Sequence, residues 1–186
     1  MSDEQFFETI KCEDEEIFNL EYHQERISRT IGRNINLGEY IYPPSSKLLK
    51  CKVIYTQDEI IDIEYVSYKA KDIKSFKLVY DNDIIYKYKS VDRGQIDNLY
   101  KQRNNCDEII IVKNNFITDT SIANIAIYED GIWITPKVPL LKGTVRAKLL
   151  NSGYLKEENI SVQRLLQAKQ IAIMNAMIGF KILEEF

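Results

Sequence analysis

The chain has 186 residues, 45% of them hydrophobic and 28% charged, which is enough length for a substantial core in one compact unit or two small lobes. A formal net charge of −3 argues against the basic face that a nucleic-acid backbone requires. No apolar run is long enough to span a bilayer, and the start "MSDEQFF" has no basic n-region or signal-peptide core.

Three scattered cysteines fit a reducing cytoplasm, and with a single histidine they argue against a metal centre.

Taken in chain order, "QFFETIKCEDEEIFNLE" predicts two strands around a turn at Glu13 to Glu15. There Phe7, Thr9 and Lys11 alternate with Glu8, Ile10 and Cys12, so both faces are partly covered. Asn19 is placed to cap a helix from Leu20 to about Ile31, with Leu20, His23, Ile27 and Ile31 on one stripe. Gly38 and the Pro43-Pro44 pair break "INLGEYIYPPSS" into a loop. "LLKCKVIYT", "EIIDIEYVSYKA" and "SFKLVYD" read as strands, and "NDIIYKYK" continues the pattern. Asp92 is expected to cap a helix through Arg103, with Gln95 completing a capping box and Ile96, Leu99 and Tyr100 facing inward.

Two hairpins follow. "DEIIIVKNNFITD" turns at Asn114-Asn115 and "NIAIYEDGIWIT" at Asp130-Gly131. A short helix is expected after Gly143 and another after Ser161, and "QIAIMNAMIGFKILEEF" ends the chain in strands. Helices interleaved with mostly antiparallel strands predict an α+β or mixed α/β fold.

Four places carry candidate chemistry. Lys89, in "YKYKSVDR", is either a solvated lysine at a strand end or an amine nucleophile desolvated enough to form a Schiff base. Asp119, in "ITDTSIAN", is either a local turn-former beside Thr120 and Ser121 or an interior carboxylate that pairs with a buried cation. Arg26 lies at the edge of the apolar helix stripe and needs an anionic partner, while His23 on the stripe reads as a hydrogen-bonded core histidine. In "PLLKGTVRAKLL", Gly143 is either a tight turn or the start of a helix that offers Thr144 and Val145 N–H groups to an anion.

In this order, "FFETIKCEDEEIFNLEYHQERI", "YKYKSVDR", "DEIIIVKNNFITDTSIANIAIYEDGIWITP", "PLLKGTVR" and "IAIMNAMIGF" resemble the class IV aminotransferases, the fold-type IV enzymes that use pyridoxal 5'-phosphate (PLP). The resemblance implies a two-lobed fold with a reduced N-terminal lobe at 1–86 and a larger cofactor-binding lobe at 87–186. It assigns Arg26, in the H-x-x-R helix with His23, to the cofactor phosphate, and Lys89, four residues before Arg93, to the Schiff base. The family's [ST]-E-x-[ST]-x-x-N stretch matches Thr118 to Asn124, so Thr120 and Asn124 are cofactor-site residues. Asp119 stands where the family has a glutamate paired with the pyridine nitrogen. The G-[IT]-x-R match at Gly143 to Arg146 makes Gly143, Thr144 and Val145 the phosphate cap, and Asn175 falls near the same site.

The "FETIK" strand is closer to lyases and D-amino-acid enzymes than to the "FEGIR" of branched-chain transaminases. The activity expected is therefore that of a 4-amino-4-deoxychorismate lyase, releasing pyruvate and 4-aminobenzoate. The alternatives are an aminotransferase for a small amino acid and a non-catalytic relative. The resemblance also implies a homodimer.

Overall fold

A computed structural model describes residues 4–183. The chain forms two compact units, one made of the residues up to Ala70 together with Tyr88–Asp92, the other of Lys71–Lys87 and the residues from Arg93 onward. The boundary expected between 86 and 87 is therefore corrected. Residues 71–87 belong with the second unit because their strand pairs there, and the Lys89 segment belongs with the first.

In the first unit, β1 (Phe6–Glu13) turns through Asp14 and Glu15, both at positive φ, into β2 (Glu16–Ile17). β3 (Leu49–Tyr55) and β4 (Ile60–Ser67) complete an antiparallel sheet of order β2-β1-β3-β4. Burial along β1 alternates residue by residue, as the sequence pattern requires. The inward set is Phe6, Glu8, Ile10 and Cys12, so a carboxylate sits among core side chains. The helix α1 (Leu20–Ile31) has the predicted bounds and buries His23, Arg26, Ile27 and Ile31. Asn19 precedes it at φ 55° and makes no side-chain cap; its carbonyl instead receives the His23 N–H. The loop at 32–48 contains one 3₁₀ turn, Leu37–Glu39.

In the second unit, β5 (Phe76–Tyr80), α2 (Gly94–Tyr100) and β6 (Glu108–Lys113) form a parallel crossover. No strand continues through "NDIIYKYK". The Asp81 carboxylate accepts the N–H groups of Asp83 and Ile84 and turns the chain away after β5. The helix starts one residue later than expected, with Arg93 at the cap position and no side-chain cap, and Lys101–Arg103 continue it as a 3₁₀ turn. Gln95 does not close a capping box; its side-chain oxygen accepts the Ile85 N–H.

β7 (Phe116–Thr120) pairs with β6 through Asn114 and Asn115, at φ 51° and 68°. β8 (Asn124–Glu129) and β9 (Ile132–Pro136) form the second hairpin. α3 (Thr144–Asn151) leads to β10 (Leu155–Glu158), a parallel partner of β9 that the sequence pattern does not reveal. The Ser161 hydroxyl caps α4 (Val162–Gln167) by accepting the Arg164 N–H. β11 (Gln170–Asn175) and β12 (Gly179–Ile182) close the sheet, with β11 antiparallel to β8; the last residues of the predicted strand run, 184–186, lie outside the described residues. β8 therefore pairs with β11 along one edge, and along the other with β9 and, at Asn124, with Asp119 of β7. Asp119 and Asn124 of the second unit meet at this change of partner.

Candidate active site

The first unit holds a buried ionic cluster that begins with Glu8. Its carboxylate, fully buried on β1, accepts Arg26 Nε at 2.8 Å and Nη2 at 2.5 Å, and lies 2.5 Å from His23 Nδ1. His23 and Arg26 are three residues apart on α1, so one face of the helix delivers both. Burial alone would raise the Glu8 carboxyl, but Arg26 and His23 outweigh it and hold the group down at about 2. An ionised Glu8 can only accept, so His23 carries its proton on Nδ1 and donates. Burial, helped by the charges of Arg26 and Lys89, overcomes the Glu8 contact and lowers the His23 pKa. The His23 Nε2 atom is buried and meets no hydrogen-bond partner among the described residues.

Lys89 is not at a strand end. The 88–91 segment runs beside the start of β1: Phe7 donates its N–H to the Lys89 carbonyl at 2.9 Å, Ser90 bridges Phe6, and Val91 donates to the Gln5 carbonyl. Lys89 Nζ stands 4.5 Å from the centre of the Phe7 ring. The first unit thus gathers Glu8, His23, Arg26 and Lys89. The sequence reading missed Glu8 as a site residue, although its inward parity on β1 was legible.

The second cluster is centred on Asp119, which is buried. Asn124 Nδ2 donates to one carboxylate oxygen at 2.7 Å, and the Leu141 N–H donates to the other at 2.9 Å. Asn124 also donates to the Leu141 carbonyl at 2.8 Å, so one amide ties β7 and β8 to the chain before α3. Burial pushes the Asp119 carboxyl up to about 6, against the opposing pull of these donors and of Arg146. Asp119 is therefore the interior carboxylate and not the local turn-former; that role belongs to Thr120. The Thr120 hydroxyl accepts the N–H groups of Ile122 and Ala123.

Three further residues meet this turn or its flanks. Arg93 Nη2 donates to the Ser121 carbonyl at 3.0 Å. Asn175 Nδ2 donates to the Ile122 carbonyl at 3.2 Å, while its side-chain oxygen accepts the N–H groups of Met177 and Ile178. Asn175 thus braces the loop after Asp119 and has no bond to the carboxylate itself. Gly143 immediately precedes α3, whose first turn begins with Thr144 and Val145, both buried. Its φ of −70° does not require glycine, but its lack of a side chain does matter: a Cβ there would stand 2.0 Å from Asn124 Oδ1. Arg146 turns away from this helix start and donates to the Pro136 carbonyl and to Glu157.

The second unit also contains a cavity of about 450 Å³ beside Thr118 and Leu140, lined by none of the assigned residues. No group of three or more His, Cys, Asp or Glu side chains among the described residues could hold a metal ion.

The sequence pattern of the family described as Amino-transferase class IV matches residues 61–183. The chain belongs to the class IV aminotransferases. It is 37% identical over 184 residues, 93% of its length, to an uncharacterized Haemophilus influenzae protein of which it covers 97%. A Haemophilus somnus crystal structure, named provisionally as a 4-amino-4-deoxychorismate lyase, superposes with a TM-score of 0.88 at 32% identity, covering 96% of this chain and 99% of that one. A hypothetical aminotransferase of Mycobacterium tuberculosis, solved with PLP bound, shares the fold with a TM-score of 0.78 at 13% identity, covering 100% of this chain and 84% of that one. The mixed α+β fold of the class IV aminotransferases is thus present in a short form.

Proposed function

We propose that the chain is a PLP-dependent enzyme acting on an amino substrate through Lys89, with the activity of a 4-amino-4-deoxychorismate lyase. The observation that carries the PLP reading is Asp119: a buried carboxylate held by neutral donors, in an "ITDTSIAN" stretch that follows the family pattern. That group suits a protonated pyridine nitrogen. Arg26 and the α3 start at Gly143, Thr144 and Val145 offer the donor types that a dianionic phosphate takes. When bound, PLP would supply an electron sink for charge developing on the substrate carbon next to the amine.

The residues divide the rest of the work. Lys89 Nζ would be the amine that holds the cofactor, and the same amine would serve as the base for the proton on the substrate's amine-bearing carbon. Asp119 keeps the ring nitrogen protonated, and Asn124 holds Asp119 in place while Thr120 shapes the following turn. Asn175 braces that turn through the Ile122 carbonyl. The lyase reading is supported by the similarity to the Haemophilus somnus protein over nearly both full lengths and by the "FETIK" strand. An aminotransferase acting on a small amino acid is the second reading, favoured by the family pattern itself. The three scattered cysteines support a cytoplasmic location, and the family resemblance supports a homodimer.

Purified protein with PLP should turn yellow, and borohydride should fix the cofactor to the peptide containing Lys89. Lys89→Ala should abolish the reducible adduct, and an adduct that survives overturns the assignment. Incubation with aminodeoxychorismate should release pyruvate and 4-aminobenzoate. Rapid glutamate formation from an amino acid and 2-oxoglutarate, without that release, would select the aminotransferase. PLP binding with neither activity would point to the non-catalytic relative.

A further inference from the structure

Arg26 meets Glu8 with one whole edge of its guanidinium, Nε on one carboxylate oxygen and Nη2 on the other. A planar fork held at two points cannot rotate. Nη1 takes no part in this pairing, so the pair fixes the direction in which the rest of the fork points. Glu8 is itself pinned, by full burial on β1 and by the contact with His23 Nδ1. The charges also matter. Glu8 offsets the charge of Arg26, so the ion pair exerts less pull on a distant anion than a lone arginine would. What it retains is directed N–H donation at short range, which depends on orientation.

We propose that Glu8 is a positioning residue for the cofactor phosphate: by gripping the Nε–Nη2 edge it aims Arg26, and so sets the preference of this protein for a phosphorylated cofactor over its unphosphorylated form. The inference rests on the PLP reading and on Arg26 as a phosphate ligand. It adds Glu8, with His23 as its own brace, to the residues that matter for cofactor choice.

The test compares the dissociation constants of PLP and pyridoxal, which lacks the phosphate, for the full chain. Three variants are used. Glu8→Asp keeps the charge and shortens the reach, Glu8→Gln keeps the shape and removes the charge, and His23→Gln removes only the brace. Loss of one charge-assisted bond predicts PLP binding weaker by about ten-fold in the two Glu8 variants, with pyridoxal binding unchanged. His23→Gln is expected to move the ratio the same way by less, and it carries the test if the Glu8 variants do not fold. In an Arg26→Gln background, which itself loses the preference for phosphate, Glu8→Asp should add no further loss of that preference.

Equal weakening of PLP and pyridoxal would reduce Glu8 to a purely structural role and overturn the proposal. Tighter PLP binding in Glu8→Gln would do so as well, by showing that Glu8 acts as a counter-charge. Wild-type protein that captures both compounds on Lys89 without preferring PLP overturns this inference and leaves the Lys89 assignment standing. Wild-type protein that captures neither overturns both.

Discussion

Single side chains in this protein are set by their buried surroundings more than by local sequence, and two carboxylates show it: burial prevails at Asp119, and buried ionic partners prevail over burial at Glu8. Asp119 is pushed up to about 6 from 3.8. Between those values the folded cofactor-free chain holds a proton that the unfolded chain has released, so this group's contribution to stability falls as pH rises from about 4 to 6. A carboxyl carbon titration by NMR should place the Asp119 midpoint near 6, and saturating PLP should lower it, because a protonated pyridine nitrogen favours the ionised form. A midpoint of about 4 without cofactor would show that Asp119 reaches water. Glu8, held down at about 2 from 4.5, contributes stability that is complete above 4.5 and is lost as pH falls towards 2. Gly143 illustrates a constraint of space. In Gly143→Ala the new methyl group would meet Asn124 Oδ1 and force that amide off Asp119 and the Leu141 carbonyl. The expected loss is about 1–3 kcal/mol in denaturant melts, with a shifted Asp119 titration as a second readout.

Strands, helices and hairpins were legible where periodicity and turn chemistry agreed. α1, both hairpins and the strands of the first unit follow from alternation or helical stripes bounded by Asn, Asp and Gly. The failures have local causes. "NDIIYKYK" has strand composition, but Asp81 captures the next two usable N–H groups, and the chain leaves the sheet. Asn19 has the right chemistry for a cap but lies at positive φ, where its side chain makes no cap bond. The Asn114-Asn115 turn gives a prediction at this scale. Asn115 sits at φ 68°, so Asn115→Gly should raise stability by a few tenths of a kcal/mol or leave it unchanged. Asn115→Val should lower it by about 1–2 kcal/mol; chemical melts of the two variants measure the difference, and equal midpoints would contradict the turn geometry.

The whole molecule is a short class IV aminotransferase in which the assigned residues come from both units: Arg26 and Lys89 from the first, Asp119, Asn124, Gly143, Thr144 and Val145 from the second. PLP should therefore stabilise the chain by linkage, by about 2.7 kcal/mol at a hundred times the dissociation constant. Calorimetric scans at increasing PLP should show a concentration-dependent rise in Tm, and a Tm unmoved at saturating PLP would count against the cofactor assignment. The order of short motifs along the chain was enough to determine the family, because that order is written in one dimension, and it is the basis on which Lys89, Arg26 and Asp119 are proposed as the Schiff-base lysine, the phosphate ligand and the ring-nitrogen carboxylate. The partner of Arg26, the burial of Asp119 against Leu141 and Asn124 and the reason for glycine at 143 were decided only by the tertiary structure. Each depends on which side chains from distant segments share a buried volume, and in a dry interior that sharing determines charge, hydrogen bonding and the room left for a single methyl group.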